Sequence, residues 1–101
     1  MFTFEDIAVR LQGRDIAAVV RDVPEETLLA ALKFGQMQSS LSVGFVLENI
    51  PRRLAERYVE ELSMMPDLPK AEGQAAQIEL TKRILAMQKA GALGFIDRDE
   101  S

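Results

Sequence analysis

Apolar residues recur at three- and four-residue intervals along nearly the whole sequence, the period of helices that each bury one face. Phe4, Ile7, Ala8 and Leu11 set out the first such face, in FEDIAVRLQ, and Gly13 breaks it. Ile16, Val19, Val20 and Val23 give a second, despite β-branched content that lowers helix propensity. Pro24-Glu25-Glu26 opens a third with proline and acids in the first turn. Leu28, Leu29, Ala31 and Leu32 are its buried side, and it is expected to end near Lys33 and Gly35. The polar stretch 36–40 reads as a loop, with Ser39 or Ser40 capping a fourth helix that carries Leu41, Val43, Phe45, Val46 and Leu47. Gly44 weakens that helix by about 1 kcal/mol relative to alanine.

The fifth helix, NIPRRLAERYVEELSMM, is the most sharply two-faced. Ile50, Leu54, Tyr58, Leu62 and Met65, flanked by Ala55 and Val59, form an apolar stripe. Arg52, Arg53, Glu56, Arg57, Glu60 and Glu61 share the opposite side, Asn49 is the expected N-cap, and Pro51 falls in the first turn. Arginines at the start and glutamates at the end both oppose the helix dipole, by roughly 0.3–1 kcal/mol per charge. Pairs such as Arg52–Glu56, Arg53–Glu56, Arg57–Glu60 and Arg57–Glu61 return only about 0.2–0.5 kcal/mol each. Folding alone does not ask for this order. Either the face is solvated and self-compensating, or it is a charged docking ridge for another protein.

Pro66-Asp67-Leu68-Pro69 stops the ridge helix, and Lys70 or Ala71 opens the last and longest one, with Ala76, Leu80, Ile84 and Met87 inward. Lys82, Arg83 and Lys89 suit its C-terminal half, and Gly91 suits the position just past its end. LGFID is expected to be extended and packed back, and residues 97–101 a frayed tail. The expected architecture is all-α, a compact bundle of five to six short helices in a single domain spanning 1–101.

Composition narrows the function. A chain of 101 residues, 48% hydrophobic, can build one real core. A formal charge of −4 argues against a nucleic-acid groove, which wants a basic stripe. Cysteine and histidine are both absent, which removes disulfides, thiolate chemistry, histidine bases and the usual zinc sites together. No apolar run reaches the length of a membrane span, so direct insertion is not expected. Of the paired carboxylates, Glu25/Glu26 and Glu60/Glu61 are adjacent on helices, do not face each other, and sit in exposed registers. Gly91 and Gly94 precede no helix and make no phosphate loop. The expectation is a non-enzymatic protein without cofactor or metal. Phe2 and Phe4 are most simply core anchors, with a hinge role as the alternative.

The order of these stretches resembles the C-terminal helical domain of the flagellar motor switch protein family, FliG. Met1-Phe2-Thr3-Phe4-Glu5-Asp6 is similar to that family's MFxF(E) hinge. DIAAVVRDV and LLAALK stand for its RSIQxxLREV-like and LALALK-like stretches, NIPRRLAERYVEEL for its NMSxRAAxxLxxDL-like torque helix, and RILAMQKAGALGFI for its RRLEExGEIVI-like ending. Nearly the whole chain is covered; each motif is ordinary helix sequence alone, and their order carries the specificity.

The resemblance implies a six-helix rotor domain in the cytoplasm at the flagellar base. Its charged ridge would meet the cytoplasmic loop of a stator subunit (MotA or PomA) to pass torque for motility, beside other switch-complex proteins. Lys33 matches the lysine of LALALK, Arg53 the arginine of NMSxRA, and Glu60 and Glu61 its acidic pair. Pro69 stands where the family's GPVR turn has arginine, with Lys70 one place on, and the loop between Lys33 and Phe45 is longer than usual. With Arg52 and Arg57 from the helix itself, the candidate ridge is Lys33, Arg52, Arg53, Arg57, Glu60, Glu61 and Lys70. Met1, Phe2 and Phe4 are the hinge-like residues. The family's membrane-ring-binding and FliM-binding domains do not precede this motif here. The sequence is therefore read as a piece of a longer rotor protein or, alternatively, as a stand-alone helical adaptor without torque function.

Overall fold

The apolar stripes resolve into six α-helices in the computed structural model, which describes residues 1–96. They are α1 (Asp6–Arg10), α2 (Ile16–Asp22), α3 (Glu25–Met37), α4 (Leu41–Glu48), α5 (Arg52–Met64) and α6 (Lys70–Lys89), with a 3-10 turn at Gly13–Asp15. No strand accompanies them among the described residues, so the all-α expectation holds. The expected tail at 97–101 lies outside the described residues.

The most extensive helix pair is α3 on α6. Small residues allow the close approach. Ala31 is fully buried between them, and a Cβ on Gly73 would run into the Phe34 ring. Across the same helix, a Cβ on Gly35 would lie 2.6 Å from Phe4 Cε2 and 2.7 Å from Val43 Cγ2. Gln77 Nε2 donates to the Ala31 carbonyl (3.2 Å) and to Gln38 Oε1 (3.0 Å), which satisfies a buried amide and pins α6 to α3.

These contacts explain why α3 outruns its expected end. Phe34 and Gly35 continue the buried face of Leu28, Ala31 and Leu32, so packing carries the helix to Met37. It closes with Ser40 N–H donating to the Gly35 carbonyl (2.9 Å) and Ser39 N–H to Gln36 (3.1 Å), with Ser39 left-handed at φ 57°. Glycine usually fills that position, and its absence hides the motif in sequence. Ser40 then caps α4, its Oγ accepting from Ser42 N–H at 3.2 Å. Gly91 takes the equivalent left-handed place after α6, at φ 80°, as its position predicted.

Two corrections concern the entry to α5. Asn49 ends α4 rather than capping α5: its Nδ2 donates to the Phe45 carbonyl at 2.8 Å. Pro51 is the N-cap residue itself, without a side-chain cap, and the helix starts at Arg52. Leu41, the first residue of α4, is 82% exposed.

At the chain start, the Asp6 carboxylate accepts from Thr3 N–H (2.8 Å) and Thr3 Oγ1 (3.0 Å), fixing the entry to α1. Ser42, wholly buried, joins α1 to α4: its Oγ donates to the Phe4 carbonyl (2.7 Å) and accepts from Ala8 N–H (3.2 Å). The C-terminal segment packs back as expected. Phe95 pairs with Leu11 in an isolated bridge, Ile96 N–H donates to the Arg10 carbonyl (2.8 Å), and the Phe95 and Phe2 rings stack at 4.8 Å.

Two glycine substitutions should therefore diverge. Gly73→Ala gains helix propensity but collides with Phe34, and is expected to destabilise by about 1–3 kcal/mol net. Gly44→Ala meets no atom within 4 Å, and should stabilise by about 0.5–1 kcal/mol. Chemical denaturation of the two variants against the parent chain measures both; equal effects would mean that α3 and α6 are not in close contact.

Candidate functional site

The sequence nominates α5, and its packing divides that helix into three strips. Tyr58 and Leu62 are buried in the core, with Leu54, Ala55 and Met65 partly buried beside them. One flank is tied to α3. Arg57 donates to both carboxylate oxygens of Glu25, with Nη1 to Oε2 at 3.2 Å, across 32 residues of sequence. Its guanidinium also lies 3.7 Å from Glu61 and 5.3 Å from the Tyr58 ring centroid. Further along, Lys33 Nζ donates to the Leu62 carbonyl at 3.1 Å. That carbonyl belongs to the last turn of α5, where a helix presents acceptors and partial negative charge. The cation missing from the C-terminus of α5 is supplied by α3.

The remaining strip faces outward. Arg52, Arg53, Glu56 and Glu60 are exposed. Arg52 reaches Glu56 at only 3.8 Å, with both side chains mostly in solvent. Arg53 and Glu60 form no ion pair among the described residues; the pairings Arg53–Glu56 and Arg57–Glu60 do not form. Lys70 is exposed at the start of α6, after the Pro66–Pro69 linker, and likewise has no ion pair. Val59, read from sequence as an edge of the apolar stripe, is 51% exposed and lies outside the core. Of the hinge-like residues, Phe2 and Phe4 are buried and Met1 is fully exposed.

The nominated charges thus fall into two sets. Lys33, Arg57 and Glu61 stand on the α3 flank, engaged in tertiary or local contacts; Arg52, Arg53 and Glu60 stand free or nearly so on the outward face. Sequence reasoning, which takes Glu25 as a helix-opening acid and as half of an exposed carboxylate pair, misses its contact with Arg57. No local signal marks a partner so distant in sequence. Among the described residues no cluster of acids could hold a metal ion, and no helix is long and apolar enough to cross a membrane.

The hydrogen bonds from Arg57 hold the Glu25 carboxyl below its ordinary range, and Glu25 in turn raises Arg57. Burial pushes the Tyr58 phenol up, with the Glu25 charge adding to the effect. A depressed folded-state carboxyl contributes stability above its unfolded pKa, about 4.3, and loses it as pH falls through the lower folded value. Arg57→Gln should therefore destabilise the protein at neutral pH, and the difference from the parent should shrink as pH is lowered toward about 3. Thermal unfolding across that range measures it; a pH-independent difference would mean that Arg57 acts only through packing.

The arrangement has relatives. The family model described as the FliG C-terminal domain matches residues 1–95. The flagellar motor switch protein FliG of Bacillus subtilis is 31% identical over 93 residues, covering 92% of this chain and 26% of the relative. The Aquifex aeolicus protein of the same name is 32% identical over 97 residues, covering 96% and 28%. The chain thus spans about a quarter of the length of these relatives. Among solved structures, FliG residues 116–343 from H. pylori superpose with a TM-score of 0.80 at 28% identity, covering 92% of this chain and 39% of that one. Full-length FliG from Aquifex aeolicus gives 0.78 at 30% identity, covering 96% and 28%. With six helices in this order and a family match over residues 1–95, the chain belongs to the FliG C-terminal domain family.

Proposed function

We propose that this chain serves as a flagellar rotor domain, a non-enzymatic part of the motor switch at the basal body. In this reading the outward face of α5 meets the cytoplasmic loop of a stator subunit of the MotA or PomA kind. The observation that carries it is the division of α5. Arg57 and Lys33 are spent on holding the helix in place, whereas Arg53 and Glu60 are presented to solvent without an ion partner among the described residues. Charges held on a rigid helix and left unpaired are what a partner of complementary potential can use. Met1, Phe2 and Phe4 would act at the junction with a preceding domain. The two rings would anchor the junction in the core, and the exposed Met1 would be the point where chain direction changes.

A second reading, a stand-alone helical adaptor without torque function, draws on the two altered ends of the ridge. Lys33 is committed to the end of α5, and Pro69 stands where the family's turn carries an arginine.

Arg53→Glu, Glu60→Lys and Glu61→Lys separate the two. Arg53→Glu and Glu60→Lys should each change folding stability by no more than about 0.5 kcal/mol, as expected of exposed sites, whereas Glu61→Lys, half-buried beside Arg57, should cost more. In a motile cell carrying the gene, Arg53→Glu and Glu60→Lys should impair swimming, and reversing the opposing stator charge should restore part of it. Glu61→Lys should act less, because Glu61 already neighbours Arg57. Unimpaired motility in all three would leave the adaptor reading in place.

A further inference from the structure

The chain passes from α5 to α6 through Pro66-Asp67-Leu68-Pro69, a linker with no helix of its own. Proline has no N–H, so these four residues offer two backbone donors, Asp67 and Leu68. The Leu68 N–H donates to Met37 Sδ at 3.4 Å, across 31 residues of sequence. Met37 is the last residue of α3. Beside it Gln38 accepts from Gln77 of α6, so the end of α3 holds both the linker and the helix that follows. A thioether is a weak acceptor and, unlike a carbonyl, it can be oxidised. Met37 is 42% exposed, which lets an oxidant reach it from solvent. Met1 and Met64 are more exposed, but among the described residues neither sulfur takes a hydrogen bond. Met65 and Met87 are partly buried against the core. Met37 alone of the five joins solvent access to a tertiary contact through sulfur.

We infer that Met37 is a reversible oxidation site, at which a peroxide unfastens the linker between α5 and α6. A lone pair of Met37 Sδ attacks one oxygen of hydrogen peroxide. The O–O bond breaks, an S–O bond forms, and the proton on the transferred oxygen leaves with the other oxygen as water. Sulfur gives up two electrons and the peroxide takes them. The sulfoxide is larger than the thioether and polar. Its oxygen either accepts the Leu68 N–H from one bond closer, which pushes the linker away, or turns to water and draws the sulfur off. Both displace Leu68. Neither reaches the crossing of α3 and α6 at Ala31 and Gly73. The bonds from Arg57 to Glu25 and from Lys33 to Leu62 still seat α5 on α3, so the change is confined to the linker and the start of α6. Methionine sulfoxide reductases return the thioether, which makes the release reversible.

The test uses the 101-residue chain carrying Met64→Leu, which removes the exposed thioether next to the linker, and a second chain that adds Met37→Leu. Both are isotope-labelled, treated with dilute hydrogen peroxide, and followed by peptide mass mapping and amide NMR. Met1 oxidises in both, so the comparison isolates Met37. In the first chain Met37 should gain one oxygen before Met65 and Met87, which the core shields. The Leu68 amide should then shift and exchange with solvent about threefold faster, as expected when a backbone donor loses its acceptor. The amides of Ala31 and Leu80, both in the core, should keep their positions. A methionine sulfoxide reductase with a thiol reductant should bring Leu68 back. In the second chain Leu68 should exchange fast from the outset and ignore peroxide over the same interval. If Met65 or Met87 oxidises first, Met37 is not the accessible site. If Met37 takes up oxygen and Leu68 does not respond, or responds equally in both chains, its sulfur does not fasten the linker. If Ala31 and Leu80 move together with Leu68, oxidation loosens the whole fold and the local release is wrong.

Discussion

The close approach of α3 to α6 is the constraint on which the other placements depend. It requires small residues at the crossing, and Ala31 and Gly73 supply them, with Phe34 lying over the glycine. Once α3 is seated, its other sides become the template for the rest. Gly35 admits Phe4 and Val43, which brings the N-terminus and α4 against it. Glu25 and Lys33, from its first and third turns, then hold α5 at two points. A single helix therefore sets both the core and the register of the charged face.

The charge order of α5 looks unfavourable only while the helix is taken by itself. At its C-terminus the ammonium of Lys33 takes the place that a local cation would fill. In the middle, Arg57 trades part of its local pairing with Glu61 for a two-oxygen contact with Glu25, so its charge holds two helices together. Only the N-terminal turn is left uncompensated. Arg52 and Arg53 sit there with no acid in that turn and no side-chain cap. The unfavourable placement is thereby concentrated at the residues that face outward.

Most of the fold was legible because its helices are amphipathic and their buried stripes were complete. Helix number and the general order survive into the structure, as does the left-handed glycine after α6. The misreadings have two causes. Where a side chain competes for two roles, tertiary context decides: Asn49 closes α4 instead of opening α5, and Phe34 extends α3 past its expected end. Where a contact joins distant segments, periodicity is silent: Glu25–Arg57 and Lys33–Leu62 lie 32 and 29 residues apart. Val59 marks a third limit. Its spacing put it at the edge of the apolar stripe, and a helix edge is where a small rotation of the buried face moves a residue from core to solvent.

That rotation bears on what the surface can do. A ridge of long flexible side chains on a loosely held helix would spend much of its interaction on ordering itself. Here the flank is fastened by Arg57 and Lys33 while the core side is fixed by Tyr58 and Leu62, so the backbone beneath Arg53, Val59 and Glu60 is set before any partner arrives. The charges used for holding and those left for contact are different residues on different strips. A change to the outward strip can then alter partner choice without loosening the helix, and a change to the α3 flank would move every outward charge at once.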